Sequence, residues 1–128
     1  MNNTLLDSDV IIQYLRLGFK GISDELFLSA HISRITYIEL IYGYYKSKRD
    51  TELQKVISFI DEYSISIIEI DNEISYKFCE LKSDLQQKGK AIPDFDLLIA
   101  STAISSNLKL YTKNKKHFSR ISGLELLG

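Results

Sequence analysis

Four short apolar runs separated by helical stretches leave this 128-residue chain few ways to fold. Asn3 to Leu6, His31 to Ile35, Tyr63 to Ile70 and Leu108 to Thr112 read as strands, the third dense in β-branched isoleucine. Most of the segments between them have crossover length, which parallel strands require and antiparallel hairpins do not. The pattern predicts a single α/β domain over residues 1–128. It should be a three-layer α/β/α sandwich with a mostly parallel central sheet. A last apolar segment runs from Leu124 to Leu127, and no repeat or low-complexity linker interrupts the chain.

The helices follow from caps and periodicity. One runs from Asp7-Ser8-Asp9 to about Leu17, then Gly18 to Gly21 form a turn and Ser23 can cap a short helix through Leu28. Thr36-Tyr37-Ile38-Glu39 has the spacing of a capping box, in which the Glu side chain returns to the N-cap amide. A helix restarts at Asp50-Thr51, and Asp71 or Asn72 caps a long amphipathic one ending near Gly89. Pro93 suits the first turn of the next, which runs to about Ser106. Its Leu97, Leu98, Ile99, Ala100, Ala103 and Ile104 leave little room for a solvated face. Asn114 to His117 is a turn or a single helical turn.

Acids stand where these apolar elements meet, and open α/β sheets place their sites at the carboxyl ends of the strands. Asp94 and Asp96 open the buried helix, Asp7 and Asp9 follow the first strand, and Thr36 with Glu39 follows the second. Two readings stay open at this point. The acids are independent caps for the unpaired N–H groups at helix starts. Alternatively, Asp7, Glu39 and Asp96, with Asp9 and Asp94 as neighbours, form an all-oxygen set with no Cys and no credible His partner. Carboxylates gathered without paired bases repel unless a hard cation neutralises them, which favours Mg²⁺ or Mn²⁺ over Zn²⁺. Such an ion activates water against a phosphodiester and steadies the leaving oxygen.

The formal charge of −1 selects no partner class. The bases cluster, however: Lys46, Lys48 and Arg49 form one group, and Lys109, Lys113, Lys115, Lys116 and Arg120 another with no acid between them. Each cluster reads as a solvated face or as a footprint for phosphate. Cys79 is the single cysteine, so no internal disulfide forms; within its helical pattern it reads as a small buried hydrophobe. No stretch approaches the roughly 18 apolar residues of a membrane span, and the acids by residue 7 do not suit a signal peptide. A cytoplasmic location is the expectation.

Four motifs in order carry a family resemblance: Leu5-Leu6-Asp7-Ser8-Asp9-Val10-Ile11-Ile12, Ser33-Arg34-Ile35-Thr36-Tyr37-Ile38-Glu39-Leu40-Ile41-Tyr42-Gly43, Ile92-Pro93-Asp94-Phe95-Asp96-Leu97-Leu98-Ile99-Ala100 and Tyr111-Thr112-Lys113-Asn114-Lys115-Lys116-His117-Phe118. Together they resemble a PIN-domain ribonuclease of the VapC toxin type, over essentially the whole chain. The resemblance implies an α/β/α sandwich and Mg²⁺- or Mn²⁺-dependent endonucleolytic cleavage of RNA, single-stranded or tRNA-like. It also implies dimerisation and inhibition by a small antitoxin that inserts a peptide near the acidic groove. Asp7, Glu39 and Asp96 match the family's metal-binding acids, Asp9 a position more often Asn, and Asn114 the polar residue after the fourth strand's Thr. Asp94 has no sure counterpart. His117 stands before Phe118 where many members carry an acid, leaving a three-acid site plus Asn114. Lys113, Lys115 and Lys116 are expected at the rim, drawing RNA toward the acids. A PIN-fold protein without catalysis, and another magnesium-dependent phosphoesterase, are the competing readings.

Overall fold

The computed structural model describes residues 2–18 and 24–128. The elements in order are β1 (Thr4–Leu6), α1 (Ser8–Leu17), α2 (Asp24–Phe27), β2 (His31–Ser33), α3 (Arg34–Ser47), α4 (Asp50–Glu62), β3 (Ser66–Ile68), α5 (Asn72–Gln87), α6 (Asp94–Ser105), β4 (Lys109–Tyr111) and α7 (Lys115–Phe118). The expected Ser23 cap, and all but Gly18 of the turn before it, lie outside the described residues.

The four strands form one sheet in the order β3-β2-β1-β4, every neighbouring pair parallel. β1 is central, and its two leucines show how three layers arise from one strand. Successive side chains of a strand point to opposite faces. Leu5 accordingly joins a core with Leu81 and Leu85 of α5, Leu97, Ile99 and Ala100 of α6, and Leu110 of β4. Leu6 joins a second core with Val10 and Ile11 of α1, Phe27, Ile32, and Val56 and Phe59 of α4. Each fully buried leucine contributes about 1.5–3 kcal/mol. A register slip of one residue would exchange the two cores.

α6 is as buried as its sequence predicts, with Leu97 and Ile99 through Ala103 enclosed. Within the helix Ser101 Oγ donates to Leu97 O at 2.7 Å and Thr102 Oγ1 to Leu98 O at 2.8 Å, while Ser105 Oγ at its last residue is buried without a partner. β3 is shorter than the predicted Tyr63 to Ile70. Ser64 takes a left-handed φ of 51°, which breaks the strand. Tyr63 instead turns into an aromatic cluster with Tyr14, Phe27 and Phe59. The Leu124 to Leu127 segment covers the outer side of β4: Leu110 N donates to Glu125 O and Leu127 N to Leu110 O, both at 2.9 Å.

Three local expectations are corrected. Cys79 is exposed on α5, not buried. α3 begins three residues before the predicted capping box, with Ser33 as its N-cap and Ser33 Oγ accepting from Ile35 N at 3.0 Å. Thr36 therefore lies inside the helix, and the Glu39 carboxylate is free for other work. Neither Asp94 nor Asp96 caps α6, whose N-cap Pro93 makes no side-chain bond.

Candidate active site

The sheet order makes β1 the turning point of the topology. The chain moves outward from β1 to β2 and β3, then returns to lay β4 on the other side of β1. Crossovers on either side of such a junction part and leave a crevice at the carboxyl ends of the two strands. Asp7 follows β1 there and Thr112 follows β4, joined by a backbone bond from Asp7 N to Tyr111 O of 2.9 Å.

Asp7 is buried and held from two sides. Its Oδ1 accepts from Ser8 N at 2.8 Å, capping α1, and its Oδ2 accepts from Thr112 Oγ1 at 2.7 Å. Asn114 N in turn donates to Thr112 Oγ1 at 3.0 Å, fixing that hydroxyl's lone pair so that its hydrogen faces Asp7. Asp9 Oδ2 accepts from Lys113 N at 3.1 Å, with Thr112 Oγ1 3.3 Å away. Asp9 Oδ1 is buried and has no partner. Glu39 reaches the same crevice from α3, where its Oε1 accepts from Ser8 Oγ at 3.1 Å. Asp96, in the first turn of α6, stands 3.0 Å through Oδ2 from His117 Nδ1.

Electrostatics bind these residues into one group. Burial, then the neighbouring Asp9 carboxylate, push the Asp7 carboxyl up to about 7, against the pull of Thr112 and Ser8, with Glu39 adding to the rise. Glu39 is raised by burial, in part countered by Ser8, and raised further by Asp96 and Asp9. Asp96 is raised by burial, lowered by His117 and raised by Asp9. Asp7 thus feels Asp9 and Glu39, and these two in turn couple to Asp96, although nearly ninety residues separate Asp7 from Asp96.

His117 stands at the rim of the acids, although residue chemistry alone offers them no credible His partner. α7 is a single turn that brings its ring onto Asp96, and Asn114 Nδ2 lies 3.0 Å from the same Nδ1. One nitrogen cannot both donate to Asp96 and accept from Asn114, so the two contacts compete for it. Thr36 is fully buried one helical turn before Glu39, and its Oγ1 has no partner. Asp94 sits apart in an exposed pair with Lys82 of α5, at 3.0 Å. Of the rim lysines, Lys113 contributes its backbone to Asp9, and Lys115 Nζ donates to Gly128 O at 2.6 Å. Ser8 and Thr112 are not singled out by the sequence. The one available signal is position: each is a hydroxyl beside an acid or strand end that the pattern does mark.

Among the described residues, no three His, Cys, Asp or Glu side chains converge tightly enough to enclose an ion by themselves. Mg²⁺ and Mn²⁺ do not require such a cage, since Mg²⁺ is commonly held by one or two carboxylates with waters completing an octahedron. The donor set fits that chemistry. It is all oxygen apart from His117, its acids raise one another, and it holds a buried carboxylate oxygen without a partner.

Residues 4–124 match the PIN domain family. The chain is 39% identical to the ribonuclease VapC1 of Methanocaldococcus jannaschii over 117 residues, covering 91% of this chain and 79% of that protein. It is 32% identical to the tRNA(fMet)-specific endonuclease VapC of Salmonella typhimurium, over 74% of this chain and 71% of that protein. Among solved structures, VapBC2 of Rickettsia felis, bound to a DNA fragment from its promoter, superposes with a TM-score of 0.89 at 32% identity. That match covers 97% of this chain and 96% of the other. The chain belongs to the PIN-domain family, in the branch of the VapC-type ribonucleases of toxin–antitoxin pairs.

Proposed function

We propose that this single domain is a Mg²⁺- or Mn²⁺-dependent endoribonuclease, the toxin of a pair whose small antitoxin occupies the acidic crevice. The observation that carries the reading is the group of mutually repelling acids at the junction of β1 and β4, with Asp9 Oδ1 buried and unpartnered. Asp7, Glu39 and Asp96 would hold the ion directly or through water. When bound, it supplies Lewis acidity that activates water and steadies the leaving oxygen of the phosphodiester.

The chain's own groups do the rest. Thr112 and Ser8 N fix the two oxygens of Asp7, Ser8 Oγ orients Glu39, and Lys113 N anchors Asp9. Asn114 and His117 form the rim beside Asp96. RNA phosphates repelled by the acids need flanking cations, and Lys113 and Lys116 stand ready, with Lys115 engaged by Gly128 O. Asp94, paired with Lys82, takes no part.

A homodimer accompanies this reading. Tyr42 and Tyr45 of α3 are 65% and 67% exposed, and Ile38 and Ile57 are exposed nearby in the chain. Large rings with a polar tip favour interfaces. Sedimentation at micromolar concentration checks it: a species of about twice the 14.7 kDa chain mass is expected, and a clean monomer refutes it. Among the described residues no helix is long and apolar enough to cross a membrane, and the proposed RNA substrate supports a cytoplasmic location. The function is tested by incubating unstructured RNA with the chain and Mg²⁺ or Mn²⁺. Cleavage that stops in excess chelator is expected, and cleavage that persists there contradicts the mechanism.

A further inference from the structure

His117 is the one side chain of the crevice that an all-oxygen site does not require. Its backbone is positioned firmly: His117 N donates to Asn114 O at 3.1 Å to close the turn of α7, and the adjacent Phe118 is buried in the core. The ring is about a quarter exposed, at 26%, so neither burial nor packing demands an imidazole there. Its Nδ1 faces Asp96 Oδ2 at 3.0 Å. That separation is an ordinary hydrogen-bond distance and is equally the spacing of two neighbouring ligands of one ion. Two adjacent ligands of an octahedral ion, each at about 2.1 Å, stand about 3.0 Å from one another.

We propose that His117 is itself a ligand, through Nδ1, of the ion that Asp96 holds, and that it tilts the site from Mg²⁺ toward first-row transition ions, Mn²⁺ among them. The inference rests on the reading of the acids as a divalent-metal site. Mg²⁺ takes oxygen donors almost exclusively, whereas first-row ions accept imidazole nitrogen beside carboxylate and water. Two protein ligands with waters suffice for such an ion, so the lack of a closed three-residue cage is no obstacle. Asn114, at 3.0 Å from the same nitrogen, holds the ring in place while metal is absent.

The chain has two histidines, which makes the inference directly measurable. His31 opens β2 at the amino end of the parallel sheet, across from the site, with its Nε2 3.2 Å from Asn2 O. The experiment titrates Mn²⁺ into the intact chain and records its electron-spin-echo modulation for directly bound nitrogen. A nitrogen signal is expected in the wild type and in His31→Gln, and its absence in His117→Ala. Calorimetry of the same variants should show Mn²⁺ binding weakened roughly tenfold or more by His117→Ala. Mg²⁺ binding should change far less. Saturable Mn²⁺ binding that is lost in Asp96→Asn but carries no nitrogen signal overturns the role of His117 and leaves the metal site intact. Mn²⁺ binding that is absent, or indifferent to Asp96→Asn, overturns both.

Discussion

Among the described residues, the polar atoms buried around Tyr63 and those buried around Asp7 are arranged in opposite ways. Around Tyr63, four aromatic rings pack edge to face, and their hydroxyls close a chain. Tyr14 and Tyr63 share a 2.8 Å bond, and Tyr63 donates to Asp24 Oδ1 at 2.9 Å. The bond to Tyr14, then burial and the bond to Asp24, raise the Tyr63 hydroxyl, so it stays neutral at any ordinary pH. Around Asp7, carboxylates crowd one another, and Asp9 Oδ1 and Thr36 Oγ1 are buried without partners. A satisfied network rigidifies a fold, while an unsatisfied one is costly unless something else completes it. The first cluster is structure; the second keeps crowded acids and unpartnered oxygens that the proposed cation would complete.

Substitutions separate the two. The largest effect is expected at Asp96→Asn, which keeps the size of the side chain but gives a poor hard-cation ligand. RNA cleavage should fall roughly a hundredfold or more while thermal unfolding stays cooperative. A variant that cleaves normally would place Asp96 outside the chemistry.

Asp7→Asn sharpens the contrast through stability. The folded Asp7 carboxyl sits near 7, above its ordinary value. A raised acid contributes stability that is whole below the unfolded value near 4 and is lost as pH rises through about 7. At about pH 8 without metal, Asp7→Asn should therefore stabilise the chain by on the order of 2 kcal/mol, and near pH 4 it should not. Denaturant midpoints at the two pH values check the sign. A destabilised variant at pH 8 would mean that the charge is already well compensated by the protein.

Tyr63→Phe probes the other cluster. It removes the donor to Asp24 and the bond to Tyr14, at a cost of about 1 kcal/mol, with cleavage unchanged. Loss of activity in that variant would join two regions that are separate in this account. The smallest effect belongs to the rim. Lys113 and Lys116 changed together to Gln should flatten the salt dependence of RNA binding by about 1.4 units of log–log slope. An unchanged slope returns those lysines to a solvated face.

Much of this was legible in the chain. The strand and helix order follows from short β-branched runs set between amphipathic periods, and α6 announces its burial through Leu97 to Ala103. The sequence pattern marks Asp7, Glu39 and Asp96 near helix starts but leaves independent capping and a shared crevice both open. Other features depend on tertiary geometry that local pattern cannot carry. Thr36-Tyr37-Ile38-Glu39 has the form of a capping box, but Ser33 starts the helix earlier and Glu39 turns to Ser8. Asp94 and Asp96 look alike beside Pro93, and only the packing of α5 and α7 sends one to Lys82 and the other to His117. The partnership of Thr112 with Asp7 spans the chain and exists only because β4 returns to lie beside β1.

On the proposed reading, the acid group is unstable on its own charge and is completed by a divalent ion. Thermal unfolding of the wild-type chain, with and without Mn²⁺ or Mg²⁺, at about pH 5 and about pH 8, measures this directly. At the higher pH the acids are ionised and free to bind, so the ion should raise the Tm by several degrees, and at the lower pH, where protons compete, by much less. A Tm indifferent to the ion at both pH values would contradict the account.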